Sequence, residues 1–338
     1  MRLWKPMRAI LVFVLVLAAC SNQPAATSPT PPTTSPTPTP TPPTTSQTPS
    51  ATPSPSPITL PSIAQLSAPS GTVVWALVAG TRLFRSSDRG DTWTEGSLPA
   101  GVVNAEVSFA DDTNGLLLSA PSAAPDCQSQ TVSLFKTTDG TKSWQKLAAS
   151  GITSDFCKRF PASVDATHAY LAANKPGTNA VIYRTADGGA SWTASAPLPI
   201  PPSLANQQTS ISVTGRPRAF GSVVLVDGAG GQQTKAIFRS TDGGATFSYA
   251  STAPSFSPVA YVTGTRWLLI GPPGQSMETT DGGVSWHAFT TDYSQGAGIS
   301  PDIVFGDASV GYATVRGAIQ RTTDGGAHWT TIKTPGTG

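Results

Sequence analysis

The sequence predicts an all-β fold built from repeated, turn-rich units and preceded by a leader and an unfolded linker. The 338 residues include 32 glycines and 32 prolines, and only 12% are charged, which argues against a helical bundle or coiled coil. An eight-residue motif recurs six times within residues 58–338. The residues before it form an apolar run and then a Pro/Thr/Ser-rich stretch.

Residues 1–19 have the features of a signal peptide. Three basic residues precede an apolar run of eleven residues at 9–19, which is too short to span a hydrocarbon core of about 30 Å. The run ends in Leu17-Ala18-Ala19-Cys20, which resembles the lipobox of bacterial lipoproteins. That resemblance implies a lipidated Cys20 and an extracytoplasmic protein anchored in the cell membrane. The alternative is an ordinary secretory signal with a coincidental cysteine.

Residues 20–57 are predicted to be the lipidated cysteine followed by a disordered linker. From Ser21 to Pro57 the chain has 13 prolines and no charged or aromatic residue. Such a segment cannot bury enough apolar surface to offset the entropy lost on ordering. Its proline content indicates an extended, semi-rigid spacer between the membrane and a folded domain at residues 58–338.

The charge balance predicts no nucleic-acid partner. The formal charge of +2 includes Arg2, Lys5 and Arg8 of the leader, and without them 18 basic residues face 19 acidic ones. Nucleic-acid binding requires a basic surface, which this balance does not indicate.

The repeat motif reads Ser/Thr-x-Asp-x-Gly-x-Ser/Thr-Trp and occupies residues 86–93, 137–144, 185–192, 240–247, 279–286 and 322–329. Thr141, Phe247 and His328 depart from this pattern. The motif resembles the Asp-box of bacterial-neuraminidase-type repeats. Its predicted structural residues are Asp88, Trp93, Asp139, Trp144, Asp187, Trp192, Asp242, Phe247, Asp281, Trp286, Asp324 and Trp329.

The chemistry of the repeat motif is that of a tight hairpin turn. Aspartate and hydroxyl side chains accept from turn amides, glycine takes positive φ, and the aromatic residue packs inward. Short alternating stretches precede each motif, which predicts four strands per unit with the motif between the third and fourth. Successive motifs lie 39 to 55 residues apart, and the two ends of the domain together amount to one more repeat. We therefore predict a six-bladed β-propeller, with seven blades as the alternative.

The motif resembles propellers of the photosystem II assembly factor, sortilin and sialidase types, and it does not choose between them. The sialidase resemblance would imply three arginines that hold a carboxylate, a tyrosine nucleophile with a glutamate partner, and an aspartic acid. After the leader the chain has three glutamates, Glu95, Glu106 and Glu278, and no spacing singles out a catalytic set. The sequence therefore predicts no catalytic residue, with a sialidase-like glycoside hydrolase or lyase as the alternative.

Metal and cofactor sites are not indicated. The three histidines, His168, His287 and His328, fall in three different repeats, and none has a second histidine or a cysteine at ligand spacing. Besides Cys20, the chain has Cys127 and Cys157. In an exported protein, two cysteines on one face of a propeller predict a disulfide. The alternative is two buried free thiols.

Binding residues are predicted on the face opposite the repeat motifs. The long connections there are expected at Ser119–Thr131, Ser150–Ala162, Ala194–Thr209 and Asp227–Thr234. In and beside them cations stand next to aromatic residues, a composition typical of interface anchors. These residues are Phe156, Lys158, Arg159, Phe160, Arg216 and Arg218. The alternative is that they are solvated loop charges.

The resulting functional hypothesis is a non-catalytic propeller at the cell envelope that binds or scaffolds a protein or a polysaccharide. By the resemblance to the photosystem II assembly factor, an assembly factor for a membrane complex is a further alternative. Fold alone does not decide between these functions.

Overall fold

The computed structural model describes residues 64–231, 234–293, 301–315 and 317–332. The chain divides into two units, Met1–Thr52 and Pro53–Gly338, and every described residue belongs to the second. The predicted leader and linker, with Cys20, lie outside the described residues. The described backbone is all-β apart from a single 3-10 turn at Pro202–Leu204.

Consecutive antiparallel strands form six small sheets. The first three sheets comprise β1 (Ala64–Ser67), β2 (Val74–Val78), β3 (Arg82–Ser86) and β4 (Thr94–Gly96); β5 (Ala105–Phe109), β6 (Gly115–Ser119), β7 (Ser133–Thr137) and β8 (Gln145–Lys146); and β9 (Cys157–Ser163), β10 (Ala169–Lys175), β11 (Thr178–Thr185) and β12 (Thr193–Ala194). The other three comprise β13 (Ser212–Val213), β14 (Arg218–Phe220), β15 (Val223–Gly230), β16 (Thr234–Ser240) and β17 (Ser248–Thr252); β18 (Val259–Tyr261), β19 (Trp267–Leu269), β20 (Met277–Thr279) and β21 (His287–Ala288); and β22 (Ile303–Phe305), β23 (Gly311–Val315), β24 (Ala318–Thr322) and β25 (Thr330–Ile332).

The six sheets are the blades of a closed propeller. Six clusters of buried apolar side chains each join two neighbouring blades, and one of them joins the first blade to the last through Leu66, Phe84, Tyr312 and Ile319. The amide of Leu66 also donates to Asp302 Oδ2 at 2.6 Å, which links β1 to the segment before β22. The predicted six-bladed β-propeller is confirmed, since the described residues form six blades and not seven.

Burial follows the position of each strand within its blade. The second strands Val74–Val78 and Gly115–Ser119 are buried throughout, because neighbouring blades cover both of their faces. The outermost strand Gln145–Lys146 is exposed and polar. In the sequence, the second strand of a blade is therefore an apolar run, whereas the outermost strand is polar.

The repeat motifs form the turns between the third and fourth strands of their blades. In the fourth blade, Asp242 accepts from the Ser240 hydroxyl at 2.7 Å and from the amide and hydroxyl of Thr246 at 3.0 and 2.6 Å. The Gly244 amide donates to Ser240 Oγ at 2.8 Å. The same pairs of positions are bonded in the other five motifs. Each aspartate therefore has a turn-forming role.

The three departures from the motif keep this geometry. Thr141 occupies a glycine position at φ 74°. Phe247 is buried between the third and fourth blades where the other motifs have tryptophan. At the hydroxyl position, His328 places Nδ1 2.6 Å from Asp324 Oδ2.

A second recurring turn connects the first and second strands in five of the blades. A side-chain oxygen there accepts from the amides two and three residues later, as Asp307 does from Ser309 and Val310 at 2.8 and 2.7 Å. The equivalent acceptors are Ser70, Asp111, Asp165 and Thr263. These turns and the repeat motifs lie on one side of the ring, here called the turn face. The connections between second and third strands, and those between blades, lie on the opposite face.

Candidate functional site

A cavity lies along the central channel of the propeller. It is lined by the innermost strands of all six blades and by the segments next to them, and its volume is about 530 Å³. In β1 and β5 apolar and polar side chains alternate, and the polar ones face the channel, whereas β22 lines it with apolar residues. Each blade therefore contributes polar groups to one site.

Many of these polar side chains hold the blades together. The innermost strand is the edge of its sheet, so its outward-facing amides have no strand partner and need other acceptors. In three of the blades a channel-facing side chain from the preceding blade supplies the acceptor, at distances of 2.6 to 3.3 Å. The acceptors are Gln65, Ser67, Glu106, Ser108 and Asp302. These side chains therefore face the channel because they accept hydrogen bonds from the inner strand of the next blade.

The half-buried Asp302 illustrates the cost of this arrangement. Burial raises the pKa of Asp302 above its usual value, the nearby positive charge of Arg216 lowers it, and the charge of Glu106 raises it. Its hydrogen bond from the Leu66 amide offsets part of the desolvation.

Two arginines of the fourth blade cross the channel without a carboxylate partner. Arg216 Nη1 donates to the carbonyl of Leu66 at 2.8 Å, and Arg218 Nη2 donates to the carbonyl of Phe305 at 2.6 Å. No described carboxylate lies within 4.0 Å of either guanidinium, and all 19 aspartates and glutamates of the chain are among the described residues. Burial, reinforced by the charge of Arg216, lowers the pKa of Arg218. Neither guanidinium therefore forms an ion pair, although the charge of Arg216 acts on the carboxyl of Asp302.

An irregular inner strand places these two arginines. β13 and β14 both pair with β15, and residues 214–217 between them leave the ladder opposite Asp227. Any side chain at Gly215 would collide with the Asp227 carboxylate, so glycine is required there by the close approach. Each guanidinium has about five N–H donors, and a single one on each makes a hydrogen bond in the described structure.

A buried cluster of three ionisable side chains lies in the same channel wall. Asp227, Lys235 and Tyr261 are 3%, 5% and 7% exposed. Asp227 Oδ2 accepts from the Thr214 hydroxyl at 2.6 Å and lies 3.5 Å from Lys235 Nζ, which donates to the Ser257 carbonyl at 2.9 Å. The Tyr261 hydroxyl is buried next to the Asp227 carboxylate. Burial, then the negative charge of Asp227 and a hydrogen bond to its carboxylate, raise the pKa of Tyr261 well above 10.

Four of the six predicted binding residues line the channel. Arg159 and Phe160 lie in β9, and Arg216 and Arg218 lie in and beside β14. Arg159 Nε is 3.3 Å from Glu106 Oε1, and its guanidinium lies 4.7 Å from the Phe160 ring centre. The structure therefore brings these four residues together in the channel wall, on and beside inner strands, where the prediction allowed either the long connections or the strands beside them.

Lys158 is buried and not presented to a ligand, contrary to prediction, whereas Phe156 is half-buried outside the channel lining. Lys158 is 1% exposed, and its Nζ donates to the carbonyls of Gln130, Asp155 and Phe156 at 2.8 to 3.2 Å. Burial lowers its pKa to about 8. Phe156 packs against the core between the second and third blades. Both residues stabilise the connection that leads into β9.

The predicted long connections differ in their extent. Residues 120–132 and 195–211 are long connections of the opposite face. By contrast, Asp227–Thr234 is largely the hairpin of β15 and β16, and Ser150–Ala162 includes most of β9. The mixed polar composition of these two segments led to their prediction as loops. Cys127 lies in the first long connection, and its sulfur is joined to that of Cys157, the first residue of β9.

Sequence reasoning did not identify Asp227, Lys235 or Tyr261 as site residues. Asp227 directly follows the apolar run Val223–Val226, and Lys235 precedes the buried run at Ala236. A charged residue inside an otherwise buried strand pair was the available signal. Tyr261 carried none, because tyrosine at the end of a strand is ordinary in a core.

The arrangement lacks the contacts of an activated tyrosine nucleophile. Glu106 binds the Phe160 amide and Arg159, and no hydrogen bond joins it to Tyr261. The raised pKa of Tyr261 also disfavours its anion. Within the described residues, no three His, Cys, Asp or Glu side chains are grouped as metal ligands would be. The described part also contains no helix long and apolar enough to cross a membrane.

No protein-family model and no curated protein matches the chain. Among solved structures, it is similar to YCF48 bound to D1 peptide (17% identity, TM-score 0.46, 84% of this chain and 90% of that one). It is also similar to YCF48 from Cyanidioschyzon merolae (15%, 0.49, 80% and 86%) and to a PL25 ulvan lyase bound to its saccharide (11%, 0.47, 83% and 84%). At these identities the likeness concerns the fold, and by its own six sheets the chain is a six-bladed β-propeller.

Proposed function

We propose that this chain is a lipid-anchored protein of the bacterial cell envelope whose propeller binds an acidic group of an envelope partner in its central channel. The lipobox-like end of residues 1–19 and the proline-rich segment at 20–57 support the anchor and the spacer. The role is binding and not catalysis, because the channel carboxylate nearest to a sialidase-like role, Glu106, is used by the Phe160 amide and Arg159.

The arginine pair is the observation that carries this proposal. Two like charges side by side are unfavourable, and here Arg216 and Arg218 are half-buried, form no ion pair, and lie close enough for one to lower the pKa of the other. An anionic ligand would reverse that cost. The planar guanidinium donates in a fork that matches the two oxygens of a carboxylate.

The test uses the full chain in detergent and the double variant Arg216→Gln with Arg218→Gln. Glutamine is neutral and shorter, so the channel loses two charges together with the contacts from the terminal nitrogens to the carbonyls of Leu66 and Phe305, and the Tm of the variant is measured beside its binding. We expect binding to immobilised oligogalacturonate or polyglutamate to weaken about tenfold or more, since each charge-assisted hydrogen bond contributes roughly 1.5–3 kcal/mol.

The matched control is Arg85→Gln on the turn face, where Arg85 pairs with Asp112 outside the channel. It removes one positive charge from the same propeller and is expected to leave binding within about twofold, as exposed pairs contribute little. Equal losses in both variants would mean that binding is a general charge effect and would refute the channel site.

A further inference from the structure

We infer that the Cys127–Cys157 disulfide is a redox switch that holds the start of β9 in the channel wall, and that a dithiol reductant releases it. The bridge joins the connection 120–132 of the second blade to the first residue of β9 in the third blade. The effect of this release on ligand binding rests on the proposed function, whereas the release itself does not.

The bridge lies where a reagent can reach it. Both cysteines are half-buried, and Asp126 and Gln128, on either side of Cys127, are exposed. Residues 120–132 lie outside the strands, on the opposite face. An accessible disulfide exchanges with thiols more readily than one enclosed in a core.

Reduction of the bridge is a thiol–disulfide exchange with a dithiol. A thiolate of the reductant attacks one sulfur of the bridge, the S–S bond breaks, and the second thiol of the reductant then displaces the mixed disulfide. Two electrons and the two thiol protons pass to Cys127 and Cys157. The reductant becomes a disulfide, so atoms and electrons balance.

Backbone strain is concentrated in the segments that the bridge joins. Cys127 takes φ 52°, and Phe156, the residue before Cys157, takes φ 72°. Phe160 takes φ 59° at a bulge, where β9 has one residue without a partner in β10. Such conformations are costly for residues with a Cβ and persist only where surrounding contacts impose them. Opening the bridge removes one of these contacts and lets residues 156–160 relax.

Hydrogen bonds between the same two segments follow the bridge. The Phe156 amide donates to the Cys127 carbonyl at 2.8 Å, and the Lys158 amide donates to Gln130 Oε1 at 2.7 Å. Lys158 Nζ donates to the carbonyls of Gln130 and Phe156 in a buried position. A buried ammonium has lost its hydration, which it regains when the segment moves into solvent. The lysine therefore favours release once the bridge is open.

The released segment continues into the channel wall. Glu106 accepts from the Phe160 amide at 2.6 Å and pairs with Arg159 at 3.3 Å. Displacement of these two residues leaves the Glu106 carboxylate without them, so that its charge opposes an acidic group bound at the arginine pair. We therefore expect the oxidised protein to bind an acidic ligand more tightly than the reduced protein.

The experiment measures hydrogen exchange of the full chain in detergent before and after reduction with dithiothreitol, with complete reduction checked by alkylation of both cysteines. We expect the amides of Phe156, Lys158 and Phe160 to exchange at least about tenfold faster in the reduced protein. The matched control is β5, whose Val107 and Phe109 amides donate to side chains of β1, two strands without cysteine. Their exchange is expected to stay within about twofold.

Binding to polyglutamate is measured in the same two states. We expect about fivefold weaker binding after reduction, and no effect of reduction in Glu106→Gln, because the neutral amide has no charge to oppose the ligand. The double variant Cys127→Ser with Cys157→Ser is expected to behave as the reduced protein and not to respond to dithiothreitol.

Three results would overturn the inference. The first is unchanged exchange at residues 156–160 in the fully reduced protein. The second is an equal rise at Val107 and Phe109, which would make the bridge a general stabiliser of the propeller. The third is faster exchange at 156–160 with unchanged binding of polyglutamate, since the switch would then not reach the channel. If neither state binds polyglutamate, the proposed function fails, and the exchange at residues 156–160 alone decides whether the bridge is a switch.

Discussion

At the scale of single residues, the first repeat motif holds an ordinary residue where the other motifs have glycine. Arg89 takes φ 67°, and the equivalent positions are Gly140, Gly188, Gly243, Gly282 and Gly325. The Arg89 side chain is exposed. The Arg321 guanidinium donates to the backbone carbonyl of Arg89 at 2.6 Å and not to its side chain. The left-handed conformation costs a residue with a Cβ about 1–2 kcal/mol. The backbone of this turn is therefore strained at Arg89, and a glycine at this position would relieve the strain.

We predict that Arg89→Gly stabilises the protein by about 0.5–1 kcal/mol, as relief of strain outweighs the added freedom of glycine in the unfolded chain. Denaturant unfolding of both proteins measures the change. Ser87→Gly, an exposed neighbour without positive φ, is the control and should destabilise. A loss of stability in Arg89→Gly would show that its side chain has a role of its own.

At the scale of elements, the repeat motifs make the protein sensitive to acid. The hydroxyl and then the amide of Thr92 donate to Asp88 and lower its pKa to about 2, and Ser143 lowers the pKa of Asp139 in the same way. The pKa values of Asp187, Asp242 and Asp281 are lowered for the same reason. Each of the six blades contains one such turn. Protonation of its aspartate weakens the hydrogen bonds that form the turn, so protonation is coupled to unfolding of the propeller.

We predict that the propeller loses stability between about pH 4 and pH 2. The pKa of these aspartates is lower in the folded state than the unfolded value of about 3.9, so their contribution is present above that pH and is lost as the pH falls towards 2. Urea midpoints measured from pH 6 to pH 2 test this. Asp242→Asn should flatten the acid dependence, whereas Asp126→Asn, an exposed residue outside the motifs, should leave it unchanged.

The disulfide belongs to the connection between the second and third blades. Cys127 and Cys157 are 30 residues apart, and Lys158, next to Cys157, donates to the Gln130 carbonyl. Closing a loop of this length contributes roughly 3–4 kcal/mol in the chain-entropy model. The bridge and the buried lysine therefore order the same segment.

We predict that the two cysteines are oxidised in the exported protein and that replacing both by serine lowers stability by about 3 kcal/mol. Intact mass after alkylation, with and without prior reduction, reports the bond. Two thiols that react without reductant would contradict the prediction. Lys158→Met, which keeps the length of the side chain, separates the contribution of the lysine contacts from that of the bridge.

At the scale of the whole molecule, the propeller is closed by side chains between its first and last blades. Leu66 donates to Asp302 and accepts from Arg216, so the first inner strand contacts both the sixth and the fourth blades. Such contacts couple ring closure to the channel. A bound anion at Arg216 would therefore be expected to stabilise the whole ring through linkage.

We predict that Cys20→Ala moves the full-length protein from the membrane to the soluble fraction. The reason is the lipobox-like Leu17-Ala18-Ala19-Cys20, since two or more acyl chains anchor a protein firmly and their loss removes the anchor. Fractionation with a carbonate wash measures the change, and Ser21→Ala is the matched control. Retention of Cys20→Ala in the washed membranes would contradict lipidation at this residue.

The sequence by itself determined the all-β class and the place of each repeat turn, and it favoured six blades over seven. These follow from interactions within eight residues: Asp242 bonds to Ser240 and Thr246, and no distant residue is needed to form that turn. Which residues meet in the candidate site follows only from the tertiary structure. Arg216, Asp227 and Tyr261 meet because separate strands line one channel, and Lys158 is buried because the distant Gln130 supplies a carbonyl. Local patterns encode local hydrogen bonds, whereas burial and charge compensation depend on what the closed ring brings together.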